Sequence, residues 1–335
     1  MVYSADYLIE LRELGRIIRF VDRAAELGFL ERVSSEGYVF PIAVYGPEGC
    51  GKTTLLKRFV RTVSSDDNVV AVYVDALEEG DPRRAIAATR SELIDIALEL
   101  ASSAVPVGRE LARRVMKIVR LAVEKLALRG KNLVVIVDDV YRAIGLDSVD
   151  RYTKMMYEWI DYLHRSLGVE RVAIILTTSE GVSKRELFKH TYVHVYMMWN
   201  LPRDGFEDLV DQLEPPRDLD REQLWILTGG NPRALIELAK LGWSTETWLS
   251  YVETRVEHLV QDLDRERLWK LVEDCDSDPE LARALEDRNL MIALNRAMVL
   301  GQVPNPSREL GIGSRWAWQI PAYRVALRRY LEGGS

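Results

Sequence analysis

Apolar positions along this chain switch between two periodicities, and the switches predict its elements. Residues 5–33 place Leu8, Leu11, Leu14 and Ile17, then Phe20, Val21, Leu27 and Leu30, at helical spacing, which predicts helix. PIAVY (41–45) is a short apolar run that predicts a strand, and TLLKRFVRTV after it resumes helical spacing. NVVAVYVDA (68–76), NLVVIVDD (132–139), RVAIILTTS (171–179) and YVHVYMM (192–198) predict four more strands. Asp81-Pro82 reads as a helix start leading into RRAIAATRSELIDIALEL, and further helices are expected over 108–129 and 151–167. Several of these strands are apolar throughout. Such strands are buried on both faces, as in a parallel sheet covered by helices. The expected fold is therefore α/β, with five parallel strands sandwiched by helices.

After Asn200 the pattern becomes helical from LPRDGFEDLV to LAKLGW, punctuated by EPPRD and TGGNPR. Three short helical patterns follow (265–274, 279–287, 288–294), then the turn-rich GQVPNPSRELGIGS, WAWQIP and a final helix in AYRVALRRYL. Helices followed by a small ribbon suggest a winged-helix module. The expected division is a nucleotide-type α/β domain over 1–200, a helical lid over 201–262 and the winged-helix-like module over 263–332.

Composition narrows the class. The chain has 335 residues, 47% hydrophobic and 29% charged, as soluble globular proteins do. There is no apolar run long enough for a membrane helix. The first residues carry charges where a signal peptide needs an apolar stretch, so a cytoplasmic protein is expected. Two cysteines imply no disulfide framework. His190 and His194 lie on a strand pattern, where their spacing is not that of a helical metal pair. The net charge of −7 excludes a wholly basic nucleic-acid coat but leaves local patches open.

GPEGCGKTT (46–54) fits the phosphate-loop pattern G-x-x-x-x-G-K-[ST], with a strand before it and an amphipathic helix after it. Gly46, Gly49 and Gly51 permit tight turns, and with Pro47, Cys50 and Thr54 they form a cradle of backbone donors for an anion. Lys52 is the residue expected to reach the β- and γ-phosphates. Thr53 is expected to place its hydroxyl on Mg²⁺, and ATP is the expected nucleotide. A glycine-rich turn that binds nothing is the bland alternative.

A second strand has to bring a carboxylate opposite Lys52 and Thr53. Asp138, at the end of LVVIV, has the right chemistry, since magnesium keeps several waters and needs one or two protein carboxylates. The order of the strands implies that another strand lies between the loop strand and the Asp138 strand. TTS at the end of 171–179 would then fall between the two motifs. Thr177 or Thr178 would there sense the γ-phosphate or orient water, and Thr178 is assigned to the site. Asp139 stands where a general base is usually glutamate. It reaches one methylene less, so it suits slow turnover, or a structural or switch role. Glu78 and Glu79, after the second strand, are rivals for the base.

Together these pieces resemble the archaeal ATPase branch of the STAND class of P-loop NTPases, among the ASCE and AAA+ relatives. RFVDRAAEL resembles that family's F-x-x-R-x-x-E-L segment over the adenine and ribose, matching at Phe20, Arg23, Glu26 and Leu27. VVIVDDV is similar to the hhhhDD magnesium motif of NB-ARC proteins, and ILTTS to a sensor-1 strand, with Ser179 where NB-ARC proteins often carry arginine. TGGNPRAL resembles the lid motif, which implies that Pro232 packs near adenine and that Arg233 is a sensor-2 residue for the γ-phosphate. GGNPR is equally a helix stop and restart, in which glycine ends, asparagine caps and proline begins. The resemblance also implies a C-terminal winged helix that meets duplex DNA or a protein partner.

Two functions follow as expectations. One is an ATP-driven switch whose lid and winged helix respond to nucleotide state. The other is a DNA-binding ATPase resembling origin-recognition initiators. Residues 288–330 hold seven arginines against one acid, Glu309, which keeps the second open. A metabolite kinase on the same loop is disfavoured by the lid motif. Homo-oligomerisation is possible in such ATPases. Arg142 and Arg185 are finger candidates by position alone.

Overall fold

The computed structural model describes residues 7–101, 107–125, 128–178 and 181–333. Ser179, singled out in the sensor strand, lies outside the described residues. Contacts divide the chain into two compact units, one of residues 24–45 and 52–197, the other of residues 1–23, 46–51 and 198–335. No helix among the described residues is long and apolar enough to cross a membrane.

The first unit is an α/β layer structure. Its strands run in the order His194–Met198, Ile42–Tyr45, Arg171–Thr177, Asn132–Asp138, Val69–Asp75 and Ile86–Ala88. The first five are mutually parallel, and Ile86–Ala88 pairs antiparallel with Val69–Asp75. The three inner strands that read VVAVYV, LVVIV and VAIIL are buried almost without exception. Helices Ala24–Glu36, Lys52–Val63, Val107–Lys125 and Val149–Arg165 pack against the sheet, which explains why no polar alternation appears in the strands. Strand Arg171–Thr177 sits between Ile42–Tyr45 and Asn132–Asp138, as the order of the motifs required.

Two expectations of helix fail, the first in this unit and the second in the other. Residues 82–101 are not one helix: Pro82–Ala85 makes a single turn, Ile86–Ala88 joins the sheet, and Ser91–Ala101 is the helix proper. The reason is the edge of Val69–Asp75, whose unpaired backbone captures IAAT; Thr89 N–H donates to Ala71 O at 3.0 Å and its hydroxyl accepts from Ala71 N–H at 3.1 Å. Residues 8–19, in the second unit, do not form the expected α-helix either; only Arg12–Leu14 make a 3-10 turn. They form a hairpin, Leu8–Leu11 against Arg16–Arg19, closed at Gly15 in a left-handed conformation (φ 60°). The leucine spacing that mimics a helix lies on strands with little burial.

The second unit is mainly helical. Helices Arg203–Gln212, Arg221–Thr228, Pro232–Lys240 and Thr245–Val260 precede Arg265–Glu273 and Pro279–Asp287. Met291–Ala293 then pairs antiparallel with Trp316–Trp318, and helix Pro321–Gly333 closes the chain. The helix expected over 288–294 is instead a turn and a strand. Asn289 takes φ 57° and ends the preceding helix, and Trp318 completes the ribbon as a fully buried partner of Met291. One apolar core runs from Ile18 and Val21 through Phe206, Leu235 and Val256 to Leu285, Trp318 and Leu331. Helix Thr245–Val260 packs directly on Pro321–Gly333, so the helices of 201–262 and the C-terminal segment share a core.

Gly108 offers a test of how the first unit is packed. Its N–H donates to Glu78 O at 2.7 Å, and an added Cβ would lie 2.1 Å from the carbonyl oxygen of Asp75. Gly108→Ala is expected to lower unfolding free energy by about 1–3 kcal/mol through overpacking. In Gly28→Ala, where the new methyl meets nothing within 4 Å on a helix, stability is expected to hold or rise. Chemical denaturation of both variants reads the difference.

Candidate functional site

The phosphate-loop motif is continuous in sequence, with residues 46–51 clustering in the second unit and Lys52 onward in the first. Each part is described where it lies.

In the first unit, Lys52 and Thr53 open helix Lys52–Val63, and Lys52 is buried. Asp138 ends its strand at 2% exposure. A buried carboxylate is tolerated only when donors replace lost water, and three hydroxyls do so here. Thr53 Oγ1 donates to Asp138 Oδ2 at 2.6 Å, and Tyr73 OH donates to the same oxygen at 2.8 Å. Thr177 Oγ1 donates to Oδ1, and in turn accepts the N–H of Asp139 at 2.8 Å. Three adjacent parallel strands therefore converge on one carboxyl group.

The electrostatics agree with the geometry. Burial raises the Tyr73 phenol well above its ordinary value, and the negative charges of Asp138, Asp75 and Asp139 add to it, so Tyr73 stays a donor. Asp75 lies in register with Asp138 on the next strand. Its carboxyl is raised first by burial and then by Asp138, with Lys57 at 3.6 Å pulling the other way. The buried carboxylate and the helix-end hydroxyl of Thr53 are hard oxygen donors. That donor set fits a magnesium ion, which takes few protein ligands and keeps its own waters.

Asp139 adopts φ 49° and ψ 33° at the start of helix Val140–Ile144, where its side chain makes no capping bond. Left-handed backbone is several-fold more accessible to aspartate and asparagine than to longer side chains. The missing glutamate thus has a backbone reason. Glu78, the rival base, uses Oε1 to accept the N–H groups of Gly80 and Asp81 at 3.1 Å each. Those bonds hold its carboxyl below the usual range and commit it to the turn before Pro82–Ala85. Of the two threonines expected at the site, the structure brings Thr177 onto Asp138. Thr178, the one assigned from sequence, points elsewhere: its hydroxyl pairs with Ser183 at 2.5 Å, and its N–H donates to Val44 O at 3.0 Å.

In the second unit, loop residues Gly49 and Gly51 take φ 80° and 101°, values closed to most side chains. Pro47 O accepts from Cys50 N–H at 3.2 Å, which closes the loop on itself. Arg23 is 4% exposed and held at φ 68°; its Nη2 donates to Cys50 O at 2.8 Å and Trp199 O at 2.9 Å. Arg23 therefore braces the loop backbone. Phe20 meets Tyr7 edge-on at 6.1 Å. In GGNPR, Gly229 ends Arg221–Thr228, Asn231 caps the next helix by accepting Ala234 N–H at 3.1 Å, and Pro232 is its first residue. The stop-and-restart chemistry is thus realised. The same segment also meets the loop. Asn231 Nδ2 donates to Glu48 O at 2.9 Å and to Asn200 Oδ1 at 2.8 Å, and Arg233 Nη1 donates to Glu48 Oε1 at 2.7 Å.

Sequence reasoning missed Tyr73, Asp75, Glu48, Asn200 and Gln319. Asp75 carried a signal, because VYVD ends a valine-rich strand as VVIVD does. Glu48 occupies an unconstrained position of the loop pattern and carried none.

A family model described as an ATPase domain predominantly from Archaea matches residues 20–238. No curated protein matches the chain. Among solved structures, the Aeropyrum pernix ORC2 protein in ADPNP–ADP complexes is 15% identical, with 98% of this chain and 91% of that one covered at a TM-score of 0.45. The Aeropyrum pernix ORC1 protein in complex with DNA is also 15% identical, with 94% and 93% covered at a TM-score of 0.39. Likeness at these scores carries no functional argument.

Thr177→Val keeps the shape of the side chain but removes the hydroxyl that serves both Asp138 and Asp139. Leaving a buried acceptor and a backbone donor short of a partner is expected to cost about 1–3 kcal/mol of stability. Thermal and denaturant unfolding of the variant measure that loss.

Proposed function

Because the chain belongs to the family of ATPase domains found predominantly in Archaea, we propose that this ATPase is magnesium-dependent, turns over slowly and works as a nucleotide switch. The observation that carries the reading is the convergence of Thr53, Tyr73 and Thr177 on Asp138, with Asp139 tied to Thr177 through its own N–H.

In this reading the loop amides and Lys52 bind the phosphates of ATP, with Gly46 to Thr54 as the cradle. Thr53 and Asp138 would hold Mg²⁺, which when bound supplies positive charge against the phosphoryl oxygens. Tyr73 and Thr177 hold the Asp138 carboxyl aimed. Asp139 orients the attacking water, with a reach one methylene short of glutamate. Because near-attack geometry is strict, that shortfall supports slow hydrolysis. Phe20 and Pro232 serve the adenine, and Arg233 reads the γ-phosphate. A group that contacts the triphosphate and not the diphosphate gives the differential affinity a switch requires.

The C-terminal module supports a winged-helix reading, with helices Arg265–Glu273 and Pro279–Asp287, the Met291–Ala293 and Trp316–Trp318 ribbon, and helix Pro321–Gly333. Its arginines are largely engaged. Arg308 and Arg328 share Glu273 at 2.7 and 2.5 Å, Arg329 meets Glu253 at 2.8 Å, and Arg288 meets Asp262 at 2.5 Å. Arg296 and Arg324 donate to backbone carbonyls. Charge already compensated within the module supports a protein partner over a DNA backbone. Duplex DNA is kept as the second reading by the excess of arginine over acid in 288–330.

Steady-state hydrolysis tests the mechanism. Asp139→Asn is expected to lower kcat by about 10²–10⁴-fold, the range of a lost general base, while Asp139→Glu retains measurable turnover. Unchanged rates in both variants would remove Asp139 from the chemistry. Fluorescence anisotropy with labelled duplex tests the partner. Little binding is expected at about 100 mM salt, and affinity falling steeply with log salt would favour DNA instead.

A further inference from the structure

Glu48 places a negative charge in the loop whose work is to receive an anion. Its surroundings show what compensates it. Oε1 accepts from Arg233 Nη1 at 2.7 Å, and Oε2 lies 3.9 Å from Arg255 Nη2. Arg255 also stands over the Tyr323 ring at 5.5 Å, on the C-terminal helix. The backbone of Glu48 is tied down as well. Its N–H donates to Gln319 Oε1 at 2.8 Å, and its carbonyl accepts from Asn231 Nδ2 at 2.9 Å. Asn200 Nδ2 closes the ring by donating to Gln319 O at 3.0 Å. One loop residue thus joins the lid motif, helix Thr245–Val260 and the segment that leads into the last helix.

We propose that Glu48 is a positioning residue. It holds Arg233 away from the nucleotide until a triphosphate competes for it, and it reports that exchange to the C-terminal module through Gln319 and Arg255. The inference rests on the ATPase reading above and extends it to regulation of the same site. The magnitudes suit an exchange. The Arg233 and Glu48 side chains are 54% and 32% exposed, so their ion pair is weak and screened by salt. A γ-phosphate, carrying more charge and more acceptors, outcompetes a single exposed carboxylate for a guanidinium. Once Arg233 leaves, the Glu48 carboxylate still faces Arg255 at 3.9 Å, and the charge beside Tyr323 and Gln319 changes. The Asn231 contact is a neutral hydrogen bond to the Glu48 carbonyl, an acceptor for which phosphate does not compete, so it persists as the mechanical link.

Glu48→Gln preserves size and an acceptor oxygen but removes the charge that retains Arg233. Equilibrium titration of the full chain with fluorescent ATP and ADP analogues reads the effect. The ratio of ATP to ADP affinity is expected to rise roughly two- to fivefold, the range an exposed ion pair commands. The rise should shrink in high salt. In an Arg233→Ala background the same substitution is expected to leave the ratio unmoved, and Glu48→Asp, which keeps the charge, should return it towards wild type. Equal changes in ATP and ADP affinity, or an undiminished effect without Arg233, would overturn the proposal and leave Glu48 a structural residue. Wild-type protein that binds neither nucleotide would instead remove the ATPase reading, so the two failures are distinct. Matching unfolding curves for the variants confirm that each one folds.

Discussion

A carboxylate with 2% exposure has to find donors inside the protein, and the requirement of Asp138 organises its neighbourhood. The donors come from three places: Thr53 on the helix after the loop, Tyr73 on one flanking strand and Thr177 on the other. Each can reach Asp138 only if the strands are parallel and in register, because parallel strands end their carboxyl termini on one side of the sheet. The register that pairs Asp75 with Asp138 and Val137 with Leu176 is the one that brings the hydroxyls together. Sheet order and site chemistry therefore constrain each other. The raised carboxyl of Asp75 is a consequence of the same crowding, moderated by Lys57.

A second, softer constraint acts on the loop half of the motif. Glycines with positive φ give a loop little stiffness of its own, and its backbone is held from outside by Arg23, Asn231 and Gln319. Two of those braces are neutral, and all three come from segments far apart in sequence. The single core that joins Ile18 to Leu331 keeps them in place, so the C-terminal module contributes to the loop's shape without supplying a charge to it. The charged contact between Glu48 and Arg233 is made beside these braces, with both side chains partly exposed.

Most of the chemistry was legible because it is encoded in local words. The loop motif, the aspartate at a strand end and the glycine–asparagine–proline punctuation each follow from what backbone or ligand geometry demands of adjacent residues. The five parallel strands were legible for a similar reason, since burial on both faces leaves continuous apolar runs. The failures share a cause. IAAT at 86–89, the leucines of 8–14 and the LMI of 290–292 have patterns that helix and strand can both use, and a distant backbone edge or partner chose between them. Thr177 and Thr178 are equally suited by type. Only their sheet position decided that one faces Asp138 and the other Ser183.

The sequence by itself determined that a phosphate-loop motif is present, that Asp138 ends a buried apolar strand, and that an α/β sheet precedes a helical region. These depend on spacing within a few residues, which covalent geometry carries into three dimensions unchanged. Tertiary structure alone decided which hydroxyls satisfy Asp138 and that Glu48 accepts from Arg233. Each of these depends on groups from distant segments competing for the same donor or charge, and that competition has no trace along the chain.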